Sequence, residues 1–320
     1  MHPARTGAVL CLCAIAAAAA AAGAEPALRE WRAMGTRIRL QVRGSDAAAN
    51  TMAAAARAAL EAVEAETSAF RPTSCVSRVS AAAGSGAWIA VGPAFDAALD
   101  AALDAAAASG GAFNPLVAPL LVSGGFDRGA GVAGSDDPAL RDLSKIGRRP
   151  GACRLAAPGM ALDLGGVAKG VGADRAAAAA RAAAPDEFLL DAGGTLVGRG
   201  AWTVGVRDPR GAADAPPLRV FTLPDGAACA TSGNYERPGH LFDPRTGRPA
   251  RGGVLQATAL APSAAAADAW STALFVLGPD AGRAALADRP DVAAFWVLAG
   301  DGQAPERVET TCSPAGGVRR

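Results

Sequence analysis

The sequence predicts an α+β fold: a single large domain with a mixed, mainly antiparallel sheet and packed helices. Three observations carry this reading. Short segments alternate apolar and polar residues with period two, as half-buried strands do. Long alanine-rich tracts keep helical spacing. The two kinds of segment follow one another without the regular strand-helix-strand beat that a doubly wound parallel sheet requires.

In chain order, Thr36-Arg37-Ile38-Arg39-Leu40-Gln41-Val42-Arg43 alternates as a strand and turns at Gly44-Ser45-Asp46. Residues 47–66 read as a helix, with Leu60 and Val63 three apart and Asp46 as the expected N-cap. Trp88-Ile89-Ala90-Val91 is a short strand. Pro93 then opens a helix with Phe95, Leu99 and Leu103 on one face, and Gly110-Gly111 ends it. Further strands are expected at 187–191, 201–207, 218–223, 227–231, 254–260 and 293–299, and helices at 170–184, 263–277 and 280–288. The stretches 124–137 and 208–217 read as surface loops of one globular body, with no internal repeat and no long linker.

Residues 1–24 have the form of a secretory signal: His2 and Arg5 in a short basic head, an apolar run from Ala8 to Ala22, and Ala22-Gly23-Ala24 as a cleavage site. The apolar run of about 15 residues falls short of the roughly 20 that cross a bilayer. Leu10-Cys11-Leu12-Cys13 lacks the small residue expected before a lipidated cysteine. The expected mature product is therefore soluble and exported, beginning at Glu25. With Arg5 removed, the 31 basic residues fall to 30 and balance the 30 acidic ones. That neutrality argues against nucleic acid or anionic lipid as a bulk electrostatic partner. Cys75, Cys153, Cys229 and Cys312 show no Cys-x-x-Cys spacing, so buried thiols or one or two structural bridges are the ordinary readings.

Chemistry concentrates in three places. Ser232 to Pro249 is rich in turn formers, yet it holds the chain's one tyrosine, Tyr235, and its one histidine beyond the expected signal, His240. His240 suits a general base, a phosphate contact or a buried hydrogen-bonding role. Asp163-Leu164-Gly165-Gly166-Val167-Ala168-Lys169-Gly170 leads a glycine-rich turn into a helix. Lys169 is one of 2 lysines against 29 arginines. Such a turn exposes backbone N–H groups suited to a diphosphate, although a plain helix entry with a solvated lysine reads the same way. It has neither the Walker pattern nor the dinucleotide fingerprint. Asp268 and Thr272 stand at i and i+4 near the start of a helix opened by Pro262-Ser263. Their oxygens form a hard pair suited to Mg²⁺, or they merely serve the helix terminus. The aromatics of Phe70 and Phe113 sit beside turns, where they either stack on a flat ring or anchor the core.

Taken together and in order, these segments resemble the FAD:protein FMN transferase (ApbE-type) family. The resemblance runs from Met34-Gly35-Thr36 through Phe70–Ser80, Gly111–Leu120, Asp163–Asp174, Asp191-Ala192-Gly193-Gly194 and Ser232–Pro249 to Asp268–Gly278, and so spans nearly all of 25–320. It implies a T-fold-like architecture and an enzyme that uses Mg²⁺ and FAD as donor substrate. Such an enzyme attaches FMN through its phosphate to Thr or Ser of exported or membrane-anchored flavoproteins, and AMP leaves. On that resemblance Met34, Phe70, Ala112, Phe113, Asn114, Asp163, Lys169 and the backbone near Phe242 surround FAD. Gly166, Asp268, Ser271 and Thr272 hold Mg²⁺, and His240 with Lys169 serves catalysis. The chain differs from the family's usual pattern in carrying Phe70 for Tyr, Asn114 and Leu116 for Asp and Thr, and no Trp at 122–126. Family acceptors present Ser/Thr-Gly-Ala-Thr/Ser. Here Ser85-Gly86-Ala87-Trp88 lacks the last hydroxyl, so the chain reads as a donor of FMN to other proteins rather than as its own acceptor. FAD hydrolysis to FMN and AMP, or flavin binding without chemistry, are the rival readings.

Overall fold

A computed structural model describes residues 25–129, 131–212, 215–234, 239–250 and 253–300, with the backbone of 306–310. The expected signal segment 1–24, Tyr235 and Cys312 lie outside the described residues.

The chain opens with the hairpin β1 (Ala27–Ala33) and β2 (Thr36–Arg43), closed by Met34 and Gly35 at φ +51° and +70°. Positive φ at both central residues matches the right-handed twist of the flanking strands, and Met34 is the one described non-glycine residue that adopts it. Helix α1 (Asp46–Thr67) follows. Its cap is Ser45, whose hydroxyl accepts from Ala48 N, and Asp46 sits instead in the first turn. The N-terminal part is completed by α2 (Cys75–Ala81), β3 (Ile89–Ala90), α3 (Pro93–Ala108) and α4 (Ala118–Ser123). Then come β4 (Ile146–Arg149) and β5 (Ala152–Leu155), which with β3 form a small sheet ordered β3-β5-β4.

The second half supplies α5 (Ala168–Ala183), β6 (Glu187–Ala192), β7 (Thr195–Arg199), β8 (Trp202–Val206), β9 (Arg219–Leu223) and β10 (Ala228–Gly233). It continues through β11 (Phe242–Asp243), β12 (Arg248–Pro249), β13 (Val254–Ala261), α6 (Ala264–Ala285), β14 (Ala293–Leu298) and β15 (Glu306–Thr310). The main sheet is open and runs β1-β2-β6-β7-β10-β13-β14-β15, antiparallel in each pair. This is the α+β domain with a mainly antiparallel sheet that the sequence predicts.

Period-two alternation divides the sheet's side chains between two layers. Leu190, Val197, Ala228, Ala230, Ala257, Ala259 and Ala261 face the helical layer, whose α1, α3, α5 and α6 share the principal core. Leu189, Leu196, Cys229 and Leu260 face the other way, onto Trp202, Val204 and Leu223 of the β8–β9 ribbon. The alanines on β13 leave room for α6 to lie close against it. Helix α6 is broken at Gly278, which has φ +71° and precedes Pro279. That break divides it where the sequence divides 263–277 from 280–288. Cys75, Cys153 and Cys229 are free and buried.

Candidate functional site

Two helix N-termini meet at the centre of the site. Gly170 makes their approach possible: a Cβ there would stand 2.3 Å from Ala264 O, closer than real side chains come. Its backbone N–H thereby reaches Asp268 Oδ2 on α6 at 3.0 Å. Lys169 Nζ lies 3.0 Å from Asp268 Oδ1 and 3.4 Å from Gly165 O. Thr195 Oγ1 adds a longer contact at 3.5 Å to the same carboxylate. Asp268 is only 4% exposed, whereas the Lys169 side chain is 28% exposed. The carboxylate is thus buried and pinned from two sides, while the ammonium reaches toward solvent.

One turn further along α6, Ser271 and Thr272 donate to the Asp268 carbonyl at 2.9 and 3.3 Å. Ser232, at the end of β10, lies 2.8 Å from Ser271 Oγ and 3.2 Å from Thr272 Oγ1. Three hydroxyls therefore gather at the backbone carbonyl of Asp268, two bonded to it and the third to both of them. Gly166 closes this cluster: a Cβ there would meet Phe113 Cε2 at 2.9 Å and Thr272 Oγ1 at 3.3 Å. The missing side chain leaves the Gly166 backbone directly against the Thr272 hydroxyl. Gly166, Asp268, Ser271 and Thr272 are brought together.

Asp163 binds its own turn. Oδ1 accepts from Gly165 N at 2.6 Å and Oδ2 from Arg128 Nε at 2.5 Å, so both carboxylate oxygens are engaged within the fold. Phe113 and Ala112 are buried, and Phe113 forms one wall of the Gly166 cradle. Asn114 is turned inward: its Nδ2 donates to Arg141 O at 2.9 Å and its Oδ1 accepts from Leu116 N at 2.8 Å. Leu116 is wholly buried. At this turn, then, the two departures from the family pattern serve local folding and packing. The Met34 backbone N–H donates to Glu64 Oε2 at 3.2 Å, and the Met34 sulfur lies against Gly172 of α5, four residues after Ala168. Phe70 is 61% exposed, with Gly129 packed on the neighbouring Ala69 carbonyl.

The third segment approaches from the β11–β12 hairpin. Phe242 lies over Gly124, where a Cβ would collide with its ring, and meets Phe126 edge-on with centroids 6.2 Å apart. His240 is half-buried two residues before Phe242, next to Gly239 at φ +77°. Asp243 pairs with Arg245 at 2.9 Å. Burial alone would raise this carboxyl, but hydrogen bonds from the Arg245 side chain and backbone outweigh it and leave the pKa lowered. A cavity of about 730 Å³ opens between this hairpin and α6, lined by Asp243, Thr246, Arg248, Pro249, Ala250 and Val276. Val276 stands one turn beyond Thr272.

Arg128 and Arg141 in this arrangement carry no motif that marks them in sequence, and Ser232, though it opens the 232–249 segment, has no role marked there. Arg141 is 8% exposed. Its Nε donates to Pro244 O at 2.9 Å and its Nη1 to Asp136 O at 3.1 Å, while its own carbonyl receives Asn114. It therefore joins the hairpin tip to the Phe113–Asn114 turn.

Known proteins share this organisation. The ApbE family profile matches residues 34–296, which include the Gly166 turn, the hairpin and the first part of α6. The FAD:protein FMN transferase of Treponema pallidum is 34% identical over 334 residues, covering 92% of this chain and 91% of that protein. One from Klebsiella pneumoniae is 29% identical over 78% of each chain. Among solved structures, the ApbE protein of Thermotoga maritima superposes with a TM-score of 0.75 at 29% identity, covering 88% of this chain and 97% of that one. The flavin transferase ApbE of Vibrio cholerae gives 0.77 at 22% identity over 90% and 98%, a likeness of fold. With the family profile matched over residues 34–296 and a relative 34% identical over 92% of its length, this chain belongs to the ApbE family.

Proposed function

We propose that the chain transfers the FMN half of FAD to a Thr or Ser hydroxyl of exported flavoproteins and releases AMP, with Mg²⁺ as cofactor. Its nearest support in geometry is the buried Asp268 carboxylate paired with Lys169, together with the Ser271 and Thr272 hydroxyls at the Asp268 backbone carbonyl, Ser232 bonded to both, and Gly166 beside Thr272. The family membership supports the transfer of flavin, since relatives over nine-tenths of the chain bear that name.

The donor set fits a hard divalent cation. It offers one carboxylate, hydroxyl oxygens and the Gly166 carbonyl, and Mg²⁺ commonly takes one or two carboxylates beside substrate phosphates and waters. Asp268, Thr272 and Gly166, with Ser271, would hold it. When bound it supplies charge neutralisation at the diphosphate and the departing AMP oxygen.

The remaining work falls to the chain's own side chains. Lys169, part-exposed at a helix N-terminus, adds a mobile positive charge for the diphosphate. Met34, Phe70, Phe113, Asn114, Asp163 and the Phe242 backbone form the surroundings of the donor. Here Asn114 and Asp163 act chiefly by shaping their turns, because their side chains are engaged internally. His240 accepts the proton of the acceptor hydroxyl as its oxygen forms the new bond to the FMN phosphorus and the diphosphate P–O bond breaks toward AMP. A positioned base of this kind contributes about 10²- to 10⁴-fold. The flavin ring undergoes no redox change. The signal-like residues 1–24 support work outside the cytoplasmic membrane, on acceptors presenting Ser/Thr-Gly-Ala-Thr/Ser.

The test is incubation with FAD, Mg²⁺ and a domain bearing that motif, followed by intact mass and AMP measurement. The proposal expects an FMN adduct and an equal amount of AMP. AMP without adduct would make the chain a hydrolase, and neither product would make it a flavin binder. His240→Ala should nearly abolish transfer while FAD still binds; retained transfer would remove His240 from the base role.

A further inference from the structure

Asp174 and Asp268 form a reciprocal pair across the α5–α6 crossing. Asp268 lies four residues after Ala264 and accepts the N–H of Gly170 in the first turn of α5. Asp174 lies four residues after Gly170 and accepts the N–H groups of Ala264 and Ala265 in the first turn of α6, at 2.8 and 2.9 Å. Each helix thus lends a carboxylate from within its first two turns to the N-terminus of the other. Ser263 completes the α6 end: its hydroxyl takes Ala266 N at 3.2 Å and its carbonyl takes Ala267 N at 3.0 Å. The N–H groups of Ala264, Ala265 and Ala266, which have no partners inside the helix, are all satisfied, two of them by a residue about 90 positions upstream.

We propose that Asp174 is a positioning residue for the cation site, fixing the angle and depth of the first turns of α6 so that Asp268 and Thr272 present their oxygens together. The inference rests on the reading of Asp268 as a cation ligand. Asp174 itself touches none of the proposed ligand atoms; its two bonds end on backbone at Ala264 and Ala265. Because Gly170 has no Cβ to hold the helices apart, they cross closely enough for these hydrogen bonds to run from each helix to the start of the other. Burial pushes the Asp174 carboxyl up, so the position is not optimised for charge alone. Ser263 caps Ala266 locally, whereas Ala264 and Ala265 take their acceptor from the other helix. An acceptor reaching across from α5 registers the two helices against each other.

The experiment titrates Mg²⁺ into the full-length protein by calorimetry for wild type, Asp174→Asn and Asp174→Ala, with FAD affinity in chelator and thermal midpoint measured beside it. Asp174→Asn keeps one acceptor and turns an amide donor toward the other N–H, so it supplies the test even if Asp174→Ala does not fold. Residues that orient metal ligands typically change affinity by about 10- to 100-fold when replaced. The expected result is a weakening of Mg²⁺ binding by about tenfold or more, with metal-free FAD affinity within about twofold of wild type. The transfer rate should recover at saturating Mg²⁺. Wild-type Mg²⁺ affinity in Asp174→Asn, with only the thermal midpoint lowered, would overturn the positioning role and leave the cation reading standing. Wild-type protein that takes up no Mg²⁺ would overturn both.

Discussion

Lys169 Nζ lies 3.0 Å from Asp268 Oδ1, an ion pair that bridges 99 residues of sequence and joins the first turn of α5 to the second turn of α6. The carboxylate is the buried partner and the ammonium the part-exposed one, so their loss is unequal.

Lys169→Met should leave a buried carboxylate held only by Gly170 N and the long Thr195 contact. Unfolding free energy should fall by about 1–3 kcal/mol, the cost of stranding a buried polar group. Adding Asp268→Asn should restore part of that loss, since a neutral amide needs no counter-charge. Denaturant unfolding of the single and double variants checks this; a single variant as stable as wild type would contradict it.

Gly170→Ala should be poorly tolerated, because the new methyl meets the rigid Ala264 carbonyl. A cost of about 1–3 kcal/mol is expected from such overpacking. Gly172→Ala meets the movable Met34 sulfur instead, at 2.6 Å, and should cost less. Comparing the two midpoints in urea tests whether backbone contact sets the helix crossing.

Arg141→Met should release the β11–β12 hairpin from the Phe113–Asn114 turn, leaving Pro244 O and Asp136 O without their donor. The expected destabilisation is about 1–3 kcal/mol, with amide exchange at 241–250 accelerated more than in the helices. Uniform exchange changes across the chain would argue against a local tether.

Asp243 predicts an acid dependence of known sign. Its folded pKa lies below the ordinary 3.8, so the unfolded chain takes up the proton first. The stabilisation is full well above pH 3.8 and is lost as pH falls through the folded value. Asp243→Asn should therefore lose stability at neutral pH and converge with wild type in acid. Parallel curves for the two proteins would contradict the assignment.

Much of this was legible in the sequence because it is written locally. The period-two strands, the Pro93 start, the Gly278-Pro279 break and the glycine-rich entry to α5 each depend on neighbours a few residues away. The segments that escaped detection, β1, β4, β5, β7, β11, β12, β15, α2 and α4, are short or imperfectly alternating: β7 holds a glycine between Gly194 and Gly200, and β1 buries only Trp31 and Ala33. Asp46 competed with Ser45 for the cap of α1, and the hydroxyl one residue earlier has the extended backbone a cap requires. Arg128, Arg141 and the pairing of Ser232 and of Asp174 with α6 escaped for another reason. Their partners lie roughly 30 to 100 residues away, and no spacing rule reports such pairings.

Calorimetric titration of Mg²⁺ into wild type and Asp268→Asn, both holding FAD, tests the central claim most directly. The account predicts one equivalent of cation bound by wild type, and none by Asp268→Asn at the same concentrations while FAD remains bound. Equal uptake by the two proteins would contradict it.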